Sequence, residues 1–99
     1  MTLRQLLQGL TTQTIPPLPV TGLSCHSKQI QPGEVFVAVR GPHHDGHEFI
    51  GEATARGASA VVVERRPSAP SRCAVVVVQE TRRMLPVLAA RWYGEPAKR

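Results

Sequence analysis

The sequence predicts an α/β domain with a small, open, largely parallel or mixed sheet of about four to five strands, flanked by about three helices. Three observations predict this class. Apolar runs without polar alternation at 35–39, 60–63 and 74–78 are typical of strands buried on both faces. Segments with helical spacing of apolar residues lie at the start of the chain, after the first run and at the end. Turn-forming Gly and Pro residues separate the segments.

A short amphipathic helix is predicted at the start of the chain, with Thr2 placed to cap it. Its apolar positions recur at the i, i+3, i+4, i+7 spacing of one helix face: Leu3, Leu6, Leu7 and Leu10. The threonines and prolines of 11–19 break this helix, because proline fixes φ and removes a hydrogen-bond donor. An extended connector is therefore expected there, followed by a short strand at 20–23.

The next predicted unit is a strand, a loop and a helix. A turn at Pro32-Gly33 precedes the first long apolar run. The loop 41–46 then leads into a helix that is expected to end at Gly57. Asp45 is placed to cap this helix, with Glu48 three residues later as in a capping box.

In the second half of the chain, a surface loop at 65–72 separates two buried strands. This loop shows no helical pattern, so the sequence leaves the direction of the last strand open. Thr81 is expected to cap a final helix that ends near Gly94. Pro86 is compatible with that helix only if it falls in the first turn, where its missing N–H is not needed. The inward face of the helix holds Leu85, Leu88, Ala89 and Trp92.

Composition and charge exclude several classes of protein. A chain of 99 residues that is 41% apolar and 19% charged is expected to form one soluble domain, not a disordered tail or a membrane protein. No apolar run approaches the roughly 20 residues that a bilayer span needs, and no secretory signal is recognisable at the N-terminus. Cys25 and Cys73 are therefore expected to be free thiols in a cytoplasmic protein.

The formal net charge of +5 fits an anionic partner. The basic residues are spread along the chain without interleaved aromatic residues, which argues against nucleic acid. A solvated surface or a small phosphorylated ligand accounts better for this distribution.

Motifs for catalysis and for metal binding are weak or missing. Neither a Gly-x-x-x-x-Gly-Lys-Ser/Thr loop nor a Gly-x-Gly-x-x-Gly after a strand occurs, so neither ATP hydrolysis nor dinucleotide binding is expected of this chain. Cys25-His26 and His43-His44-x-x-His47 do not match common zinc spacing. His26 is poorly placed to activate Cys25 or Ser27, because successive residues on a strand point to opposite faces. We assign no catalytic residue and no metal site.

Two loops, 24–31 and 41–46, are predicted at the ends of apolar strands. The second leads from the carboxyl end of a buried strand into a helix start, where open α/β sheets commonly bind ligands. Backbone N–H groups at a helix start favour an anion, and the glycines at 41 and 46 permit close approach. An anionic small-molecule site and an ordinary strand-to-helix turn both remain compatible with this pattern.

An ordered series of motifs runs through the centre of the chain. It comprises 27–41 (Ser-Lys-Gln-Ile-Gln-Pro-Gly-Glu-Val-Phe-Val-Ala-Val-Arg-Gly), 45–50 (Asp-Gly-His-Glu-Phe-Ile), Ala53 and Gly57-Ala58. The leucine-rich start and the segment 81–96 extend it to both ends. The series resembles the N-terminal domain of the Mur ligases. Within that family it is most similar to the ligase that adds the third residue of the peptidoglycan stem peptide, although the D-alanyl-D-alanine-adding ligase shares much of the centre.

The resemblance implies a site for the uridine diphosphate of a UDP-N-acetylmuramoyl-peptide. Ser27 matches the serine that contacts the uracil, and Cys25 matches the residue whose backbone lies against it. The family's Asp-Ser-Arg stands here as His26-Ser27-Lys28, which keeps the hydroxyl and a cation. The loop that meets the uridine diphosphate is matched by Pro42, His43 and His44. Because proline has no N–H, phosphate contacts would fall to the amides of His43 and His44.

The resemblance also implies that 1–99 is the UDP-binding domain, with the central ATP-binding and C-terminal domains absent from this chain. The chain itself is then expected to bind no cofactor and to be inactive alone, with ATP and magnesium bound by the missing domains of an ATP-dependent acid–amino-acid ligase. Expected partners are UDP-N-acetylmuramoyl-peptide and those domains, with neither nucleic acid nor membrane. The alternatives are the same role in the D-alanyl-D-alanine-adding ligase, a stand-alone interaction domain of this fold without ligand, and a zinc or nucleic-acid module.

Overall fold

The structure, a computed structural model, describes residues 2–11, 13–39, 46–65 and 73–93. Its helices and strands are α1 (Leu3–Leu7), β1 (Gly22–Ser24), β2 (Glu34–Val37), α2 (Ile50–Ala55), β3 (Ala60–Val63), β4 (Ala74–Val77) and α3 (Thr81–Trp92). Two 3₁₀ turns lie at Ser27–Gln29 and Gly46–Phe49. None of the helices in the described ranges is long and apolar enough to cross a membrane.

The four strands form one parallel sheet in the order β1-β2-β3-β4. This confirms the predicted α/β class and shows that the last strand, whose direction the sequence left open, is parallel. The central strands β2 and β3 pair with Val37 opposite Val62, and both valines are fully buried. The expectation that the last strand is buried on both faces is met only in part, because Ala74, Val75 and Val77 are half-buried. Val76 alone is buried within β4, because β4 is an edge strand.

Side chains from the two faces of the sheet form two apolar clusters. The α1/α3 face is the cluster formed with α1 and α3: Leu3, Leu6, Leu7, Ile15, Val20, Val35, Val37, Ala60, Val62, Val76, Val78 and Leu88. The α2 face is the cluster formed with α2 and the chain that follows the first 3₁₀ turn: Ile30, Phe36, Ala38, Ile50, Ala53, Ala58, Val61 and Val63. Alternate residues of β2 and β3 therefore belong to opposite clusters, which explains why their sequences are continuously apolar.

The predicted ends of the first two helices are largely confirmed. At α1, Thr2 Oγ1 accepts a hydrogen bond from the Gln5 amide at 3.2 Å, and Gln5 Oε1 accepts one from the Thr2 amide at 2.9 Å. At the end of α2, Gly57 has φ +96°, the left-handed conformation that favours glycine after a helix. The start of α2 differs, since a 3₁₀ turn precedes it and no side chain caps it at Phe49. Asp45, the predicted cap, lies outside the described residues.

The start of the last helix corrects the sequence prediction. Thr81 is its first helical residue, and the N-cap position belongs to Glu80, whose side chain makes no cap hydrogen bond. Instead, Glu64 at the end of β3 caps the helix from a distance. Its Oε2 accepts hydrogen bonds from the Thr81 amide at 3.1 Å and from Thr81 Oγ1 at 3.3 Å. Pro86 lies beyond the first turn, contrary to expectation, on the exposed side of the helix.

Candidate functional site

The carboxyl ends of β1 and β2 meet at one edge of the sheet. In the parallel register Ser24, the last residue of β1, lies opposite Phe36 of β2. The chain leaving β1 and the chain leaving β2 therefore start side by side. This arrangement brings together the starts of both predicted loops at the edge where open α/β sheets bind ligands.

A tight turn leads from β1 into the first 3₁₀ turn. The Ser24 hydroxyl accepts a hydrogen bond from the His26 amide at 3.1 Å and donates one to the His26 carbonyl at 3.4 Å. Cys25, half-buried, lies between these two residues, and its thiol is free. The Ser24 hydroxyl thus contacts the backbone of His26, and its role is that of a turn residue. Cys25 is held at the carboxyl end of β1, where the sequence placed it.

Ser27 begins the first 3₁₀ turn and is buried, with 8% of its surface exposed. Its Oγ donates a hydrogen bond of 2.6 Å to Glu52 Oε1 on α2. A distance this short is typical of a hydroxyl bonded to a carboxylate. The second predicted site residue therefore has a specific partner, and that partner was not among the residues singled out from the sequence.

Packing explains the position of Glu52. Ile50 and Ala53, its neighbours on α2, are buried in the α2 face, at 6% and 0% exposure. These anchors hold the half-buried Glu52 above the first 3₁₀ turn. The helical pattern of the sequence gives the inward positions of α2, but the partner of Glu52 is 25 residues away in the chain. A contact of that separation is not visible in local spacing.

Pro42, His43 and His44, the other predicted site residues, lie outside the described residues. The described residues on either side of 40–45 are joined, since the Gly46 amide donates to the Val39 carbonyl at 2.9 Å. A Cβ at Gly46 would lie 2.6 Å from the Val39 nitrogen, so only glycine fits this close approach of two backbones. The second 3₁₀ turn and α2 follow directly. Val39 and Gly46, the described residues on either side of 40–45, therefore both lie at the carboxyl end of β2.

The weak zinc candidates gain no support from the described part of the chain. There, no group of three or more His, Cys, Asp or Glu residues could hold a metal ion. His43, His44 and the side chain of His47 lie outside it. His26 and Lys28, which flank Ser27, are both exposed.

Residues 19–99 match the family described as "Mur ligase family, catalytic domain". The chain belongs to the Mur ligase family. It corresponds to the N-terminal domain of these peptidoglycan ligases, as the resemblance predicted. A four-stranded parallel sheet with three helices agrees with the solved Mur ligase domains described next.

Curated relatives carry the name UDP-N-acetylmuramoyl-L-alanyl-D-glutamate–2,6-diaminopimelate ligase. The protein from Parabacteroides distasonis is 35% identical over 103 residues, which cover 100% of this chain and 21% of the relative. The one from Chlorobaculum tepidum is 45% identical over 76 residues, covering 76% and 15%. This chain therefore spans about a fifth of the length of the curated relatives it matches.

Solved structures of MurF share the fold. A crystal structure of MurF from Acinetobacter baumannii superposes with a TM-score of 0.78 at 29% identity and covers 98% of this chain and 22% of that one. MurF from Thermotoga maritima, solved in complex with ADP, gives 0.64 at 35% identity and covers 81% and 18%. Both the diaminopimelate ligases and MurF thus contain a domain of this kind.

Proposed function

We propose that this chain binds the uridine diphosphate of a UDP-N-acetylmuramoyl-peptide, for an ATP-dependent ligase that adds the third residue of the peptidoglycan stem peptide in the cytoplasm. One observation carries the proposal. Ser27, which the family resemblance assigns to the uracil, is fixed by Glu52 at the carboxyl edge of the sheet, where the chain leaves both β1 and β2. The curated relatives described above are named as ligases of UDP-N-acetylmuramoyl-L-alanyl-D-glutamate, which supports the same substrate class.

The negative charge of Glu52 indicates how the bound nucleotide is oriented. Glu52 puts a carboxylate 2.6 Å from Ser27 Oγ, so a phosphate group placed there would meet a like charge. The neutral uracil belongs at the Ser27 end, with the backbone of Cys25 against it. The diphosphate then belongs to the loop residues Pro42, His43 and His44, with the amides of the two histidines as donors.

Further domains complete the proposed enzyme. ATP and magnesium are assigned to those domains and not to the residues of this chain. The structural matches to MurF favour a second candidate, the ligase that adds D-alanyl-D-alanine. One matching structure from Acinetobacter baumannii is named UDP-N-acetylmuramoylalanyl-D-glutamyl-2,6-diaminopimelate–D-alanyl-D-alanyl ligase. The identity of up to 45% to the diaminopimelate ligases favours the first. Comparing full-length ligase activity on UDP-muramoyl-dipeptide plus an amino acid with activity on UDP-muramoyl-tripeptide plus D-alanyl-D-alanine separates the two.

The test of UDP binding is a nitrogen–proton NMR titration of the 99-residue chain with uridine diphosphate. We expect millimolar affinity and shifts concentrated in 25–28 and 41–46. Added salt and removal of the phosphates should both weaken binding, because the diphosphate is anionic. Ser27→Ala should weaken binding about two- to tenfold, the value of one neutral hydrogen bond.

Ser59→Ala is the matched control. Its hydroxyl also donates to a partner, the Gly33 carbonyl at 3.1 Å, but at the amino end of the strands. This variant should bind uridine diphosphate as the wild type does. No shifts at several millimolar, or shifts confined to other regions, would contradict the proposal and favour an interaction domain that has kept the fold without the ligand.

A further inference from the structure

The proton of the Ser27 hydroxyl is already donated in a hydrogen bond within the protein. A serine hydroxyl carries one proton and two lone pairs, and this proton is donated to Glu52 Oε1. A carboxylate can only accept, so the direction of this hydrogen bond is fixed. What Ser27 Oγ has left to offer a ligand is an acceptor.

The elements that carry Ser27 and Glu52 are both held in place by hydrogen bonds and packing. Ser27 is buried at the start of the first 3₁₀ turn, whose backbone is closed by a hydrogen bond from the Ile30 amide to the Ser27 carbonyl at 3.3 Å. Ile30 itself is buried in the α2 face, the same cluster that holds Ala53 of the helix that carries Glu52. The elements that carry the two partners are thus packed on one apolar cluster, which keeps the hydroxyl and the carboxylate within hydrogen-bonding distance.

We propose that Glu52 is a positioning residue that makes Ser27 a hydrogen-bond acceptor, so that the site selects a base with a ring N–H. The inference rests on the proposed function, because it concerns the base of the same nucleotide. Uracil has a donor at N3, which suits an oxygen lone pair. Cytosine has a lone pair at N3, which would face the lone pairs of Ser27. The pair Ser27–Glu52 therefore discriminates uridine from cytidine nucleotides.

The experiment measures the affinities of the 99-residue chain for uridine diphosphate and cytidine diphosphate. We expect the wild type to favour uridine diphosphate by about two- to tenfold, the value of one hydrogen bond. In Glu52→Ala the hydroxyl can rotate and donate to cytosine N3. The preference should then fall below about twofold, mainly because cytidine diphosphate binds more tightly. A gain of affinity for one ligand is not what damage to the fold produces.

Ser27→Ala and the double variant Ser27→Ala/Glu52→Ala complete a double-mutant cycle. Ser27→Ala should also remove the preference, and adding Glu52→Ala to it should change the ratio no further. Glu48→Ala is the charge-matched control, because Glu48 is an exposed carboxylate on the 3₁₀ turn just before α2. It should leave the ratio at the wild-type value.

The outcomes separate the two proposals. Binding of uridine diphosphate without a preference over cytidine diphosphate overturns the role of Glu52 and leaves the proposed function standing. A different result would be that Ser27→Ala keeps the preference and that the double variant Ser27→Ala/Glu52→Ala loses it. Glu52 itself would then be the acceptor, and the inference would be overturned. No binding of either nucleotide overturns both. If Glu52→Ala does not fold, Ser27→Ala still tests the inference. An undiminished preference for uridine diphosphate in Ser27→Ala is sufficient to reject the inference.

Discussion

The two faces of the sheet are covered in different ways. The α1/α3 face is packed by a 12-residue helix and by α1, and these are tied together by long-range polar contacts. Arg91 of α3 donates to the carbonyls of Leu6 and Gln8 at 3.1 and 2.7 Å, which satisfies acceptors at the end of α1. The α2 face is covered by a six-residue helix and two 3₁₀ turns. Its long-range side-chain contact from Ser27 to Glu52 belongs to the candidate site.

This difference separates the contacts that stabilise the domain from those of the proposed binding site. On the α1/α3 face, the Arg91 guanidinium satisfies backbone carbonyls at the end of α1 and holds α1 against α3. On the α2 face, short connections bring polar side chains to the carboxyl edge, where a ligand can reach them. Binding residues are commonly found on connections held by a rigid scaffold. The α1/α3 face, with more of these polar contacts, serves as the scaffold, and the α2 face carries the proposed site.

The largest expected effect compares core truncations on the two faces. Val61 and Val62 are adjacent in β3, fully buried, and belong to the α2 face and the α1/α3 face respectively. Either change to alanine should cost about 1–3 kcal/mol in unfolding free energy through lost burial and cavity formation. Val62→Ala should lower the unfolding free energy more than Val61→Ala. The reason is that α1 and α3, which are linked by hydrogen bonds, can move into a cavity less easily than α2 and the 3₁₀ turns on the other face.

Val37→Ala repeats the test on β2. Val37 pairs with Val62 in the register, so the two changes should be measured singly and not added. Denaturant unfolding gives the free energies. Losses below about 0.5 kcal/mol for both Val37→Ala and Val62→Ala would contradict the burial of the central strands. A greater loss for Val61→Ala than for Val62→Ala would contradict the difference between the faces.

The sequence predicted the parts of the fold that depend on local pattern. Continuous apolar runs gave β2 and β3, because a strand covered on both faces shows no alternation. Thr2 and Gly57 were correctly identified as helix ends, since capping chemistry is local. Thr81 was wrong as a cap because a distant carboxylate, Glu64, takes over that role. The edge position of β4 depends on strand order, which no local pattern contains.

The candidate site divides along the same line. Ser27 and Cys25 were proposed from the sequence because they lie in or next to a motif that is continuous in sequence, and the structure places them just after β1. Glu52 was missed because its importance comes from a contact between two elements packed on one sheet face. Ordered motifs thus reveal candidate binding residues, while the residues that orient them become visible only after the chain is folded.

An intermediate effect is expected at the long-range cap of α3. Glu64→Ala removes the acceptor for the Thr81 amide and hydroxyl and should cost about 1–2 kcal/mol, as loss of an N-cap does. For a domain of this size, 1 kcal/mol lowers Tm by roughly 4–8 °C. Glu80→Ala is the control, because Glu80 makes no cap hydrogen bond and its ion pair with Arg83 is exposed. Equal Tm values for the two variants would contradict the role of Glu64.

The smallest effect is expected at the outer edge of β4, where the side-chain amide of Gln13 takes the place of a neighbouring strand. Its Nε2 donates to the Val75 carbonyl at 2.6 Å, and its Oε1 accepts from the Val77 amide at 3.1 Å. Gln13→Ala should cost about 0.5–1 kcal/mol, since water can replace much of this pairing at an edge. The exposed backbone groups should also increase self-association, measured by sedimentation over a range of concentrations. Gln13→Glu keeps an acceptor for Val77 but cannot donate to Val75, so it should lose stability without exposing the whole edge. Unchanged Tm and unchanged association in Gln13→Ala would show that this edge needs no cover.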